Sequence, residues 1–257
     1  KGVFGTVSRE SALVLNNVLL AVSAFVVFIG TIWPLIAEMF FDRKLSVGPP
    51  FFDMAFTPFV VAIAMLIPIG SSAPWKRADP ARVMRPLWPL LVLSVACGAL
   101  VWAMQTGRSA LGPVGVILGV WVVAGSLADL WQRTGRGAPG ARMGRLSRLP
   151  RADWGKAVAH SGLGVTFIGI SLLMAWQVED IRVARIGETF TVAGYDITLD
   201  SVEERPGPNY NSIIAAMTVD RDGRQVALLH PEKRVYPVQS MPTTEAAIQN
   251  GLFRDLY

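Results

Sequence analysis

Residues 154–176 read WGKAVAHSGLGVTFIGISLLMAW. From Ala157 to Trp176 no residue carries a formal charge. A bilayer core about 30 Å thick takes roughly 20 apolar residues in a helix. The run therefore reads as a membrane span, entered from a basic end at Lys156. Yet it holds an imidazole, His160, a few residues inside.

Composition agrees with a membrane protein. Of 257 residues, 52% are hydrophobic and only 17% charged, against about 25% in soluble domains. The mean hydropathy is +0.42. Four further apolar runs precede the first: 12–37, 55–72, 86–104 and 111–131, with 155–176 as the fifth. Pro34, Pro58 and Pro68 fall inside runs, which is tolerated where neighbouring helices satisfy the freed carbonyls. The expected fold class is a mostly α, polytopic helical bundle over 1–178. The first run is too long for a signal peptide and lacks a small-residue cleavage pattern. The chain begins at Lys1, not at Met, and stops at Tyr257 inside a polar segment, which suggests part of a longer protein.

The loops alternate in charge. Lys1, Arg9, Lys76, Arg77, Arg82, Arg85, Arg133, Arg136, Arg142, Arg145, Arg148, Arg151 and Lys156 fall on one side; Arg43, Lys44 and Arg108 fall on the other. Basic loops stay cytoplasmic. The expectation is a cytoplasmic N-terminus and an external tail from residue 179. Residues 1–176 hold 16 basic and 7 acidic residues (+9); residues 177–257 hold 8 and 12 (−4). The basic excess flanks spans, so it signals orientation and attraction to the lipid bilayer, with no nucleic-acid partner.

After Trp176 the pattern becomes β-like. IRVARIGETFTVAGYDITLDSVEE alternates polar and apolar residues, with Gly187 and Gly194 at turns. Glu204–Asn211 reads as a loop. Ser212–Val219 and Gln225–Leu229 flank a hairpin turn at DRDG, Asp220–Gly223. These predict a small antiparallel β external domain over 179–257, with a short helix around Glu245–Asn250. Its lack of cysteine rules out a disulfide there. The one cysteine, Cys97, sits in a span, where helix packing is expected.

A polar group in a span is costly without a partner, so His160 is a site candidate. It can ligate a metal or haem iron, relay protons, or hydrogen-bond a neighbouring helix. Gly164 lies one turn on, on the same face. The missing side chain leaves room for a flat macrocycle or for a close neighbouring helix. No second axial ligand is visible. Met174 is 14 residues away, about 21 Å along the axis and too far for one iron; Met65 and Met104, on other helices, and a ligand from outside this sequence stay open. The other histidine, His230, follows a β segment and reads as a solvated or capping residue, with a transient haem contact as the alternative. Zinc spacing, a P-loop and a Rossmann glycine pattern are absent. Glu38, Asp42, Arg43 and Asp53 border the external face, where such charges anchor helix ends. Asn16 and Asn17 are the main polar pair, near an interface. The spans lack interior charge apart from Asp129 near a cytoplasmic end, which argues against an ion-coupled transporter. A transporter subunit or a partner-docking scaffold stays open as an alternative.

Several strings together resemble the CcmF family, the integral-membrane subunit of the bacterial cytochrome c haem lyase. They are SRESALVLNN (8–17) with IGTIWPLIAE (29–38), SVGPPFFD (46–53), AHSGLGV (159–165) and LHPEKRVYPVQSMPTTEAAI (229–248). They follow the family's order and topology. The paralogous lyase subunit for nitrite reductase looks similar. The resemblance implies cytochrome c biogenesis in the bacterial inner membrane, with 179–257 periplasmic. It implies haem b as cofactor, haem as transient substrate and quinol as reductant. It also implies a haem chaperone, apocytochrome c and other lyase subunits as partners. Cofactor binding falls on His160, as an axial ligand to the haem iron, with Gly164 beside it; no catalytic residue is assigned. The family's Trp-rich haem-presenting segment and its first transmembrane histidine have no counterpart here, so the resemblance covers the family's C-terminal part.

Overall fold

A computed structural model describes residues 5–43, 45–107, 109–238, 241–251 and 254–257. The charges expected at Lys1, Lys44 and Arg108 lie outside the described residues. The chain divides into two compact units, Lys1–Gln177 and Val178–Tyr257.

The first unit is helical: α1 Arg9–Phe41, α2 Pro49–Ser72, α3 Pro80–Met104, α4 Leu111–Arg133, α5 Pro139–Leu146 and α6 Arg151–Trp176. Five of these, all but α5, are long and apolar enough to cross a membrane. Four begin three to six residues before the predicted apolar runs, because capping chemistry rather than hydropathy starts a helix. Ser8 caps α1, its hydroxyl accepting from the Ser11 amide at 3.1 Å. Asp79 caps α3 through the Ala81 amide at 3.0 Å. Gly48 precedes the Pro49–Pro50 pair that opens α2, and Pro150 precedes α6; proline's missing N–H costs nothing in a first turn.

Alpha5 was not foreseen. Its sequence is PGARMGRL, within the basic loop between the fourth and fifth spans. Arg142 from this helix reaches back to α4. It donates to the Trp131 carbonyl at 2.6 Å and Thr134 Oγ1 at 3.0 Å and stacks on the Trp131 ring. A cation thus satisfies a carbonyl at the negative end of α4.

Alpha4 is the central helix, packing against α2, α3 and α6. Trp121 donates Nε1 to the Met65 carbonyl of α2 at 3.2 Å. Gly125 leaves the space that Pro68 fills, since a β-carbon there would fall 2.4 Å from the proline ring. Alpha2 runs unbroken through Pro58 and Pro68. Cys97 is partly buried and packs with Val101, Val116 and Ala175. Alpha1 packs against α2, burying only Ser23, Gly30 and Ala37, spaced seven apart. Its remaining surface is mostly large and apolar, including Leu13, Val14, Val18, Phe25 and Phe28, as suits hydrocarbon.

The second unit is an antiparallel sheet: β1 Thr189–Val192, β2 Tyr195–Pro206, β3 Asn211–Arg221, β4 Arg224–Leu229, β5 Glu232–Tyr236 and β6 Met241–Glu245. The order is β1-β2-β3-β5-β6, with β4 also on β3. Beta4 and β5 pair with successive parts of β3 and are interrupted at His230–Pro231, where the Ala215 amide donates to the Pro231 carbonyl. Two hairpins turn on Ala193–Gly194 and Asp222–Gly223, all four residues with positive φ. Paired left-handed residues match strand twist. The core holds Tyr195, Leu199, Val219 and Ala227.

The structure differs from the sequence expectation at three places. Ile181–Arg185 is not strand, and Ile181 and Val183 are exposed: alternation without a pairing partner does not make a ladder. The loop at 204–211 shrinks to 207–210, because β2 and β3 pair as far as Pro206 and Asn211. The helix at Glu245–Asn250 does not form. Glu245 ends β6, opposite Glu232, and Gln249 bridges Leu256. Backbone pairing along the sheet edge overrides local helix propensity.

Candidate functional site

His160 lies on α6 one turn above Lys156. It is partly buried and lines an open cavity of about 470 Å³ bordered by α1, α2, α4 and α6. That volume falls within the roughly 300–1,000 Å³ range of cofactor pockets. Among the described residues the imidazole makes no hydrogen bond and belongs to no cluster of potential metal ligands.

The cavity has a polar end and an apolar wall. Leu13 of α1 and Leu66 and Ile67 of α2 form the wall. Arg9, Asn16, Arg133, Asp153 and Lys156 form the polar part. Behind them Asp129, 6% exposed on α4, accepts from Lys156 Nζ at 2.5 Å and Arg133 Nε at 3.2 Å. Arg133 also bridges to Asp153 at 2.9 Å. The lone carboxylate near the end of the fourth span is therefore paired twice, as a buried charge must be.

Arg9 is held differently. Its Nη2 donates to the Ser71 carbonyl at 2.5 Å and its Nε to Gly70 at 3.5 Å, at the carbonyl end of α2. The guanidinium lies over the Trp75 ring. Glu10 accepts the Lys76 amide through both oxygens. The string SRES thus ties the start of α1 to the end of α2 and delivers Arg9 to the cavity rim.

A second cavity, about 820 Å³, is lined by α1, α2 and α6. Its lining is apolar, including Leu20, Val27, Phe56, Leu163 and Phe167. The hydroxyls of Ser23 and Thr31 bond carbonyls of their own helix. Leu163 and Phe167 stand on the turns of α6 just beyond His160. Along α6 the lining passes from cation through imidazole to hydrocarbon.

Gly164 does not open onto either cavity. It packs on α4: a β-carbon there would sit 2.7 Å from the Gly119 carbonyl oxygen and 2.7 Å from Val123. Of the two uses foreseen for this glycine, the space is taken by the neighbouring helix. Met65, Met104 and Met174 line neither cavity; nor do Glu38, Asp42, Arg43 and Asp53. His230 is exposed in the second unit. Sequence reading treated Arg9 as a topology charge and Asn16 as an interfacial polar residue. Their spacing of seven, two helical turns on one face, was the signal that they share a site.

The string 229–248 builds a cluster in the sheet. Arg234 donates to both carboxylate oxygens of Glu232, at 2.9 and 2.8 Å, and lies 3.6 Å from Glu245. Its guanidinium stacks on Tyr210, whose ring meets Tyr236 at 5.5 Å. The bonds from Arg234 hold the Glu232 carboxyl below its ordinary value and push the guanidinium further up.

Comparisons with known proteins fit this architecture. The family described as "CcmF C-terminal beta-sandwich" matches residues 175–257. The chain is 63% identical over 259 residues to cytochrome c-type biogenesis protein ccl1 of Rhodobacter capsulatus, covering 100% of this chain and 39% of that protein. It is 37% identical over 256 residues to cytochrome c-type biogenesis protein CcmF of Pseudomonas aeruginosa, covering 99% and 38%. A solved structure named Cytochrome c Heme Lyase CcmF shares the fold, with TM-score 0.58 and 24% identity over 95% of this chain and 38% of that one. The chain spans under two fifths of the length of these relatives. Residues 175–257 thus match the CcmF C-terminal beta-sandwich, and the chain as a whole is similar to part of the CcmF-type cytochrome c biogenesis proteins.

Proposed function

We propose that this chain is part of a haem lyase subunit that holds a redox haem b through His160. The subunit would help attach haem to the Cys-x-x-Cys-His sequence of apocytochrome c at the periplasmic face of the bacterial inner membrane. Similarity to these relatives supports the setting. One observation supports the site: an imidazole in a membrane span lines a cavity of cofactor size and has no protein hydrogen-bond partner among the described residues. A polar group left so is costly in lipid, and a neutral ring nitrogen is a good iron ligand.

The residues present fit such a group. His160 offers one axial nitrogen, and Leu13, Leu66 and Ile67 offer apolar walls. Bound there, the iron porphyrin supplies a one-electron couple, whose potential follows ligand type and burial. The chain's part is to orient the ring, exclude water and hold His160 in place by the close packing of α6 on α4. A second axial ligand would come from the length of the relatives that this chain does not span. In this reading quinol is the reductant, a haem chaperone delivers haem, and other lyase subunits assemble around it. The basic loops are cytoplasmic and residues 179–257 periplasmic.

The test is the visible spectrum of the purified full-length protein. A b-type spectrum that disappears in His160→Ala while the protein stays folded is the expected result. An unchanged spectrum removes His160 as a ligand. A wild-type protein without haem absorbance would leave the scaffold reading.

A further inference from the structure

We infer that Arg9 binds the acidic edge of the ligand held by His160, which on the haem reading above means a propionate carboxylate. Three observations on the cavity lead there.

The first is polarity along α6. Lys156, His160 and Leu163 mark successive turns, and the cavity lining changes from cationic to apolar in the same direction. A porphyrin dicarboxylate has the same division, with acids on one edge and hydrocarbon on the other. Seated on His160, it places its acids toward the basic end.

The second is the charge balance at that end. Asp129 and Asp153 already engage Arg133 and Lys156. Arg9 has no carboxylate partner among the described residues. It supplies the uncompensated positive charge of the cavity.

The third is geometry. Nε and Nη2 of Arg9 bond the carbonyls of Gly70 and Ser71, and the Trp75 face supports the guanidinium. Nη1 has no bond among the described residues, so its two N–H groups remain for an anion. A guanidinium fixed on two carbonyls loses little freedom when it binds a carboxylate, and such charge-assisted bonds are the strong ones. Asn16, two turns along the same face of α1, adds a neutral donor in the same cavity.

A carboxylate and a lipid phosphate would both suit this guanidinium, so the experiment must separate them. Full-length protein is prepared as wild type, Arg9→Gln and Arg9→Lys. Haem loss to excess apomyoglobin is timed, and the midpoint potential is measured. Arg9→Gln is expected to lose haem about tenfold faster, with a lower potential because a cation near the ferric site is gone. Arg9→Lys should recover most of both. Repeated with haem dimethyl ester, whose acids are blocked, wild type and Arg9→Gln should release the group at equal rates. A difference that persists with the ester overturns the inference and makes Arg9 only a tether for α2. Wild-type haem kinetics in Arg9→Gln also overturn it, as does loss of co-purified anionic phospholipid with haem unchanged. Failure of the haem reading shows separately, as a wild type without a b-type spectrum or a His160→Ala variant that keeps it; either result overturns the inference too.

Discussion

Gly119 of α4 and Gly164 of α6 meet backbone to backbone. A β-carbon on either would lie 2.7 Å from the other's carbonyl oxygen. Gly112 and Gly115 continue the contact against Ala175 and Ser171. Lipid gives no hydrophobic drive for helix association, so close approach of small residues has to supply it. This contact fixes the height and rotation of α6, and therefore where His160 points.

Gly119→Val and Gly164→Val should each push α6 away from α4. The clash is with backbone, which cannot swing aside, so the expected cost is about 1–3 kcal/mol. Thermal unfolding in detergent checks this. Gly162→Ala, which meets nothing within 4 Å, is the control and should melt like wild type. A Gly164→Val protein as stable as wild type would mean that this packing does not set α6.

Asp129→Leu should be harmful for a different reason. The carboxylate is buried and joins Lys156 to Arg133. Removing it leaves Lys156 without its counter-charge and Arg133 with Asp153 alone, at a cost of about 3 kcal/mol. Lys156→Met in the same protein should recover part of the loss, because one stranded cation goes with it. Melting temperatures of the two single variants and the double variant give the coupling.

How much of this could be read beforehand divides by length scale. Hydropathy marked all five spans, DRDG marked one hairpin and Gly194 marked the turn of another, because each signal is local. Ile181–Arg185 misled because alternation says nothing about whether a partner strand lies alongside. Glu245 misled because its neighbour across the sheet, Glu232, is 13 residues away. For the site, His160 stood out as one polar residue in an apolar run. Arg9 did not: its role depends on α1 and α2 being adjacent, and no single stretch shows that.

The sheet should weaken in acid through Glu232. Its folded pKa lies below its ordinary value, chiefly through the bonds from Arg234. That contribution is complete at pH above the unfolded value and is lost as pH falls through the folded one. Protection of β5 amides from hydrogen exchange should therefore hold while pH stays above the ordinary glutamate value of about 4.3 and drop as pH falls below it. In Glu232→Gln the protection should start lower and change less over that range. Equal acid slopes in both proteins would remove Glu232 from the account.

The orientation proposed above rests on arginine and lysine placement, and gene fusions test it directly. Basic residues resist translocation; Arg136, Arg142, Arg145, Arg148 and Arg151 lie together between α4 and α6. Alkaline phosphatase joined after Arg142 should stay inside and remain inactive. Joined after Asp180, beyond the end of α6 at Trp176, it should be exported and active. The sheet would then stand on the side where apocytochrome c is modified. The opposite pattern would put it in the cytoplasm, and the proposed attachment at the periplasmic face would fail with it.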